Sequence, residues 1–392
     1  MSTPPDLRRL SSTFTRFFES GQSSAILLGV CVAIAMLLAN SGAAPTYFAF
    51  WEARFAGISL SHWVNDALMA IFFLLIGLEL ERELYSGELS TLQSALLPAV
   101  AAVGGMLAPA LIHLALNFGT PTEAGFGIPM ATDIAFALGV LALLGNRVPA
   151  SLKVFVVAFA VIDDLGAIVT IAVFYTAQIS WAYLSAAVAV WTLLAALNWK
   201  WRVMALAPYL LGGAVMWFLL LQSGLHATLA GVALAFAVPF SARDNDVQSP
   251  SHRLENILHK PVAFFILPVF ALANAGVVVG ADWLQGLSSV NSLGILAGLV
   301  LGKPFGIALA CMLAVAAGVC KLPDDLTWRH ILGAGMLGGI GFTMSIFIAN
   351  IAFADAAQVV NASKMAILFA SITAAVLGFA GLRLAGNSPA RS

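Results

Sequence analysis

Long apolar runs separated by short polar stretches cover the chain from about residue 23 to residue 385. The runs are about 17–25 residues long, and a helix of that length, rising 1.5 Å per residue, crosses a hydrocarbon layer of about 30 Å. The pattern predicts about twelve membrane-crossing helices, starting near residues 23, 62, 95, 124, 150, 182, 204, 223, 256, 291, 327 and 358. The longest polar stretch lies around 241–260, too short for an aqueous domain. The expectation is an all-α polytopic membrane protein. A tail, 1–22, precedes a single transmembrane domain, 23–385, and a second short tail, 386–392, follows it.

Composition points the same way. Hydrophobic residues make up 61% of the chain and charged residues 9%, where a soluble domain carries roughly 25% charged. With a net charge of −1 and no basic cluster, nothing invites nucleic acid. Cys31, Cys311 and Cys320 fall in or beside apolar runs at unrelated spacings, and read as small core residues rather than disulfide partners or metal ligands. The basic residues are distributed one-sidedly. With the N-terminus in the cytoplasm, only Arg54 and Lys364 of the 18 fall on the outer side, Lys303 lies inside a helix, and the rest are cytoplasmic. That asymmetry predicts both termini inside and an even number of spans. The first 22 residues carry no cleavage-site pattern of small residues, so they read as a cytoplasmic tail rather than a signal peptide.

Against this background two adjacent acids stand out. Asp163 and Asp164 sit in the middle of VVAFAVIDDLGAIVTIAVF. One carboxylate at mid-bilayer costs at least ~2.5–3.5 kcal/mol, so a pair there calls for chemistry on a cation or a proton. Neighbouring helix positions are about 100° apart, so one acid is expected to line an ion path and the other to face a packed partner. Burial and a like-charged neighbour favour a protonated carboxyl, which lets a proton compete with a cation for the same oxygens. Hard oxygen ligands with no Cys or His beside them suit Na+ or Li+ rather than a transition metal.

Two spans carry interruptions. In GFGIPMATDIAFALG, Gly125, Gly127 and Pro129 precede Thr132 and Asp133; in GMLGGIGFTMSIFIAN, Gly338, Gly339 and Gly341 precede Thr343 and Ser345. Proline lacks an amide proton and clashes with the turn before it, which frees backbone groups that lipid cannot satisfy. Glycines in membrane helices often serve only close packing. Here the breaks fall in the second helices of two three-helix groups, the arrangement that points to a transporter binding site. A broken helix leaves partial positive charge at its N-terminal ends and partial negative charge at its C-terminal ends. Asp133 is placed to neutralise the positive ends. Lys303, in LVLGKPFGI, suits either the negative ends or an ion pair with one of the aspartates.

With WVNDALMAIFFLLIGLELEREL, ATDIAFALGVLALLG, AVIDDLGAI, SGLHATLAG, LGKPFGI and GGIGFTMSIFIA together, the chain closely resembles the NhaA-type sodium–proton antiporters of bacterial inner membranes. The resemblance implies two inverted three-helix repeats, roughly 95–177 and 291–385, whose discontinuous helices cross. It implies electrogenic exchange, more protons entering than sodium ions leaving, with Na+ or Li+ and H+ as cargo and no cofactor. Asp164 matches the main ion and proton carrier, and Asp163 its partner in binding the ion or in pairing with Lys303. Thr132 and Asp133 match the residues at the first broken helix. Asp66 and Glu79 match acidic family positions, against bland readings as an interfacial and a snorkelling residue. The family's pH sensing implies roles for Glu79, Glu83, Glu255, His259 and His226. Asn256 stands where family members carry a second histidine, which weakens the sensor assignment, and a lone histidine such as His226 is often structural. The loop TYFAFWEARFAGISLS alternates at Trp51, Ala53 and Phe55 against Glu52 and Arg54, as a β-hairpin does; in the family this region, 44–60 here, pairs two protomers.

Rival classes fare worse. An intramembrane aspartyl protease needs two carboxylates facing each other across a cleft, and adjacent helical residues diverge. A passive cation channel would show a filter motif. A sodium-coupled organic anion symporter of similar architecture would need a roomy polar pocket for its solute. Proton movement in proteoliposomes on adding Na+, Li+, K+ or a bile acid separates these readings.

Overall fold

The structure is a computed structural model that describes residues 12–87, 89–176, 178–241, 249–280 and 283–386. Most of the two tails, with Arg8, Arg9 and Arg391, lies outside the described residues, as does Arg243.

Among the described residues ten helices are long and apolar enough to cross a membrane, and a bent pair makes an eleventh. Helix α1 (Ser12–Ala39) leads through α2 (Ala44–Glu52) and a hairpin of β1 (Arg54–Phe55) and β2 (Ile58–Ser59) into α3 (Leu60–Tyr85). The first three-helix group is α4 (Leu92–Asn117), the broken α5 (Glu123–Leu144) and α6 (Ala150–Phe174). Helices α7 (Trp181–Trp199), α8 (Leu206–Ser223), α9 (Leu229–Ala235), α10 (Pro250–Asn274) and the short α11 (Trp283–Ser288) follow. The second group is α12 (Val290–Ala316), the bent pair α13 (Trp328–Gly338) and α14 (Phe342–Ala352), and α15 (Ala357–Ala385). Long helix, broken helix, long helix thus occurs twice.

The stretch expected to be a full helix from about 223 departs from the expectation, since only Leu229–Ala235 is helical. It nevertheless runs the length of α3. Gly231 abuts the backbone of Ala70, a Cβ on Gly77 would lie 2.6 Å from Ala235, and Phe240 stacks on Tyr85 at the end of α3. Non-helical backbone at membrane depth is tolerated where protein rather than lipid surrounds it, so apolarity alone cannot show whether such a run is helical.

The outer-loop hairpin forms with a narrower extent than the alternation suggests. Trp51 and Glu52 end helix α2, and the strands pair Arg54 with Ser59 and Phe55 with Ile58. Ala56 and Gly57 between them both have positive φ, 51° and 87°, as a two-residue turn matching the strand twist requires.

The two groups pack through small residues. Gly104 of α4 and Gly306 of α12 each lie against the other's backbone carbonyl, so any side chain at either position would part the helices. A π-helical turn, Gly298–Gly302, comes just before Lys303–Pro304, taking up the backbone mismatch that a mid-helix proline creates. The seam holds Lys303 in the interior, 0% exposed, with its stem beside Gly105.

Candidate ion-binding site

Both expected interruptions are present, and they meet. The first half of α5 is a 3-10 helix, Glu123–Met130, and the α-helix resumes at Ile134 after an extended stretch at 131–133. The second break separates α13 from α14 with a 46° bend. The Asp133 amide donates to the carbonyl of Ile340 at 2.6 Å, and the Ser345 hydroxyl donates to the carbonyl of Ile128 at 2.7 Å. Each break therefore satisfies backbone groups that the other leaves open, which lipid could not do.

Asp133 accepts hydrogen bonds from the first turns of two helices at once. Its Oδ1 accepts from the amide of Phe136 in its own helix at 3.1 Å. Its Oδ2 accepts from the amide and the hydroxyl of Thr343, in the first turn of α14, at 3.0 and 2.5 Å. Asparagine has one acceptor oxygen and no charge, so Asp133→Asn leaves one buried donor facing an amide NH2. The expected cost is about 1–3 kcal/mol, read as a lower Tm of the detergent-purified protein. An unchanged Tm would show that the helix ends need no counter-charge.

The adjacent aspartates diverge as helical spacing requires. Both are 1% exposed. Asp163 faces packed partners: its Oδ2 is ion-paired with Lys303 and lies 2.6 Å from the Thr132 hydroxyl. Thr132 also accepts from Lys303 at 2.7 Å and lies 2.9 Å from the carbonyl of Gly338. A hydroxyl has one proton, so Thr132 serves Asp163 or the Gly338 carbonyl, not both together. Of the two roles open to Lys303, the geometry shows the ion pair, while hydroxyls and the Asp133 amide occupy the carbonyls at the breaks. Asp164 instead lines a cavity together with Asp133, Thr343, Glu79, His259 and Ser24. Asp163 Oδ1 and Asp164 Oδ1 are buried oxygens without a hydrogen-bond partner among the described residues. Buried carboxylate oxygens seek a cation or a proton; of these two, Asp164 is at the cavity wall and Asp163 is the next residue behind it.

The remaining candidates split between the Glu79 end of the cavity and the opposite end of α3. Glu79 is 7% exposed and lines the cavity, so it is no surface snorkeller. Next to it Arg82 binds Glu255 at 2.5 Å and Glu83 at 3.0 Å, which ties α3 to α10. His259 lines the cavity, whereas Asn256 is exposed and donates to the His252 carbonyl of its own helix at 2.8 Å. Asp66 and His226 are not at the cavity. Asp66 is half-buried at the start of α3, 2.9 Å from His62, and interacts electrostatically with His226.

Sequence reasoning missed Arg82 and Tyr175. The Tyr175 hydroxyl, at the end of α6, donates to the carbonyl of Ala124 at 2.6 Å and accepts from the amide of Gly127 at 3.2 Å. Burial pushes the phenol up, so it stays protonated and serves the first half of α5 as donor and acceptor together. A Cβ at Gly127 would lie 2.6 Å from that hydroxyl, which gives one of the glycines noted in the sequence a steric reason.

Comparison with known proteins follows the same lines. Residues 15–382 match the family described as Na+/H+ antiporter 1. The chain belongs to that family. It is 66% identical over 371 residues to a Na+/H+ antiporter NhaA of Dechloromonas aromatica, covering 95% of each chain. It is 56% identical to Na+/H+ antiporter NhaA 1 of Flavobacterium johnsoniae, covering 96% of this chain and 97% of the relative. A Na+/H+ antiporter NhaA of Vibrio cholerae is 49% identical over 96% of this chain and 98% of its own length. These relatives set the organic anion symporter reading aside.

Proposed function

We propose that this Na+/H+ antiporter binds its two cargo ions alternately at Asp164, with Asp163 contributing through its own unpartnered oxygen or holding Lys303. The observation that carries the reading is the buried Asp164 Oδ1 at the wall of a cavity that also reaches Asp133 and Thr343. Asp133 keeps the two broken helices together around that wall, and Thr132 and Lys303 hold Asp163 in place behind it. The stretch around α9 runs beside α3; counted as a crossing with the ten long helices and the bent pair, it supports an even number of spans and termini on one face. With the bias of Lys and Arg this supports cytoplasmic termini, a cavity mouth at Glu79 on the cytoplasmic side, and residence in a bacterial inner membrane. The repeated order of long, broken and long helix supports an inverted repeat, and the hairpin supports pairing of two protomers. Electrogenic transport of Na+ or Li+ and regulation by pH through the Glu79, Arg82, Glu83, Glu255 and His259 cluster belong to the same reading.

If Na+ and H+ share one carboxylate, binding one expels the other, and the coupling is reciprocal. Isothermal titration of Na+ or Li+ into purified protein, in buffers of differing ionisation enthalpy, is expected to show proton release. Apparent Na+ affinity should weaken as pH falls, by up to about tenfold per pH unit for each proton displaced, and level off at alkaline pH. A dissociation constant independent of pH, with no proton released, would mean that the aspartates do not serve both ions.

A further inference from the structure

Antiport requires that the cavity be closed at one end while it is open at the other. The cavity reaches Glu79 and His259 at one end, and its lining stops part-way along three helices: at Phe72 on α3, Leu267 on α10 and Met344 on α14. From that depth the three helices share two layers: an aromatic one at the cavity's inner edge, where Phe73 adjoins the lining residue Phe72 while Phe270 and Phe347 lie past it, and a polar one farther from Glu79. The first layer is aromatic. Phe347 of α14 packs on Phe73 of α3 and Phe270 of α10, with ring centroids 5.6 and 6.4 Å apart, and all three rings are buried. The second is an amide relay. The Asn350 side chain of α14 donates to Asn274 of α10 at 2.7 Å, and Asn274 donates to Asn65 of α3 at 2.9 Å. Asn65 precedes Phe73 by eight positions, ~12 Å along a helix. On α14, Thr343, Phe347 and Asn350 are spaced by four and three, which aligns them on one face.

The layers join two groups of helices that are otherwise tied within themselves. Helix α14 is bound to α5 through Thr343–Asp133 and Ser345–Ile128, and so belongs with the ion site. Helix α10 is bound to α3 through Glu255–Arg82 and by the Ser251 hydroxyl, which donates to Glu81 at 3.1 Å. Between the groups, on the side away from Glu79, stand the Asn350–Asn274 hydrogen bond and the Phe347 ring.

We propose that these two layers are the closed gate of the transport path on the side away from Glu79, with Asn350 and Phe347 of α14 having to part from Asn274, Phe270 and Phe73 for the ion to leave there. The proposal rests on the antiport reading. Its chemistry suits a gate: the rings exclude water, and one neutral amide hydrogen bond across the groups is weak enough to break and directional enough to set the register. A polar layer outside an apolar one also lets the amides bond water when they separate, so opening strands no buried donor.

The test is a reversible lock. In protein with Cys31, Cys311 and Cys320 replaced by Ala, Asn274→Cys and Asn350→Cys are joined by a short bifunctional methanethiosulfonate. Sodium-driven proton flux in proteoliposomes is expected to fall by roughly tenfold or more on cross-linking and to return with reductant. Na+ binding, measured by proton release in detergent, should remain within about twofold, because the mouth at Glu79 stays open. Flux at the uncross-linked rate in fully cross-linked protein would overturn the gate, and so would loss of Na+ binding together with flux. Phe73→Cys with Phe347→Cys tests the aromatic layer in the same way, should the first pair fold poorly. Lack of sodium-driven flux in the Cys-containing parent would instead count against the antiport reading itself.

Discussion

Asp164→Asn is expected to abolish Na+/H+ exchange, a loss of at least about a thousandfold in sodium-driven proton flux. Asparagine keeps the shape of the side chain, and the cavity wall formed with Asp133 and Thr343 should stand unchanged. What disappears is the charge. A neutral amide holds neither a proton nor a tightly bound Na+, and no other acid lies at that point of the wall with a free buried oxygen among the described residues. The loss converts to about 4 kcal/mol of discrimination between loaded and empty site at 1.4 kcal/mol per factor of ten. Reconstituted Asp164→Asn protein should retain its Tm and lose Na+-dependent proton release in titration. Flux near the wild-type rate would remove Asp164 from the mechanism. Asp163→Asn is harder to interpret by itself, because it also strands Lys303.

The largest expected effect on stability is that of Lys303→Ala. The ammonium is fully buried, ion-paired with Asp163 and hydrogen-bonded to Thr132. Removing it leaves the Asp163 carboxylate in the interior with the Thr132 hydroxyl as its remaining named partner, at a cost of roughly 3–5 kcal/mol. The Tm of purified Lys303→Ala should fall by several degrees, and transport should fall with it. The geometry makes a sharper claim for the double variant. Neutralising the stranded acid with Asp163→Asn in the Lys303→Ala background should recover most of the lost stability, because the buried charge is gone. A double variant as unstable as the single one would mean that Lys303 acts mainly on the helix ends. An unchanged Tm in Lys303→Ala alone would rule out both roles.

Much of the architecture can be read without coordinates, for a physical reason. Hydrocarbon demands about 20 consecutive apolar residues and internal backbone hydrogen bonding, so run length and composition report the spans. Gly125, Gly127 and Pro129, and the glycines at 338, 339 and 341, report the two breaks because their effect on the backbone is local. The divergence of Asp163 and Asp164 also follows from the sequence, since it needs only the helical repeat. Run length does not report whether a buried stretch is helical, and so α9 is shorter than expected.

What only tertiary structure decided is which groups meet. Lys303 pairs with Asp163 across 140 positions, Thr343 caps onto Asp133 across 210, and Asn350 reaches Asn274 across 76. Sequence periodicity tells how side chains are arranged around one helix and nothing about the rotation or depth of that helix against its neighbours. Those are set by packing, here by contacts such as Gly104 on Gly306 and by the two breaks satisfying each other's backbone. The sequence by itself therefore determined a bilayer-spanning helical chain with interior carboxylates and two broken helices. The fold alone decided that Asp164 faces the cavity, that Asp163 is held by Lys303, and that asparagines and phenylalanines from three separate helices stack beyond it.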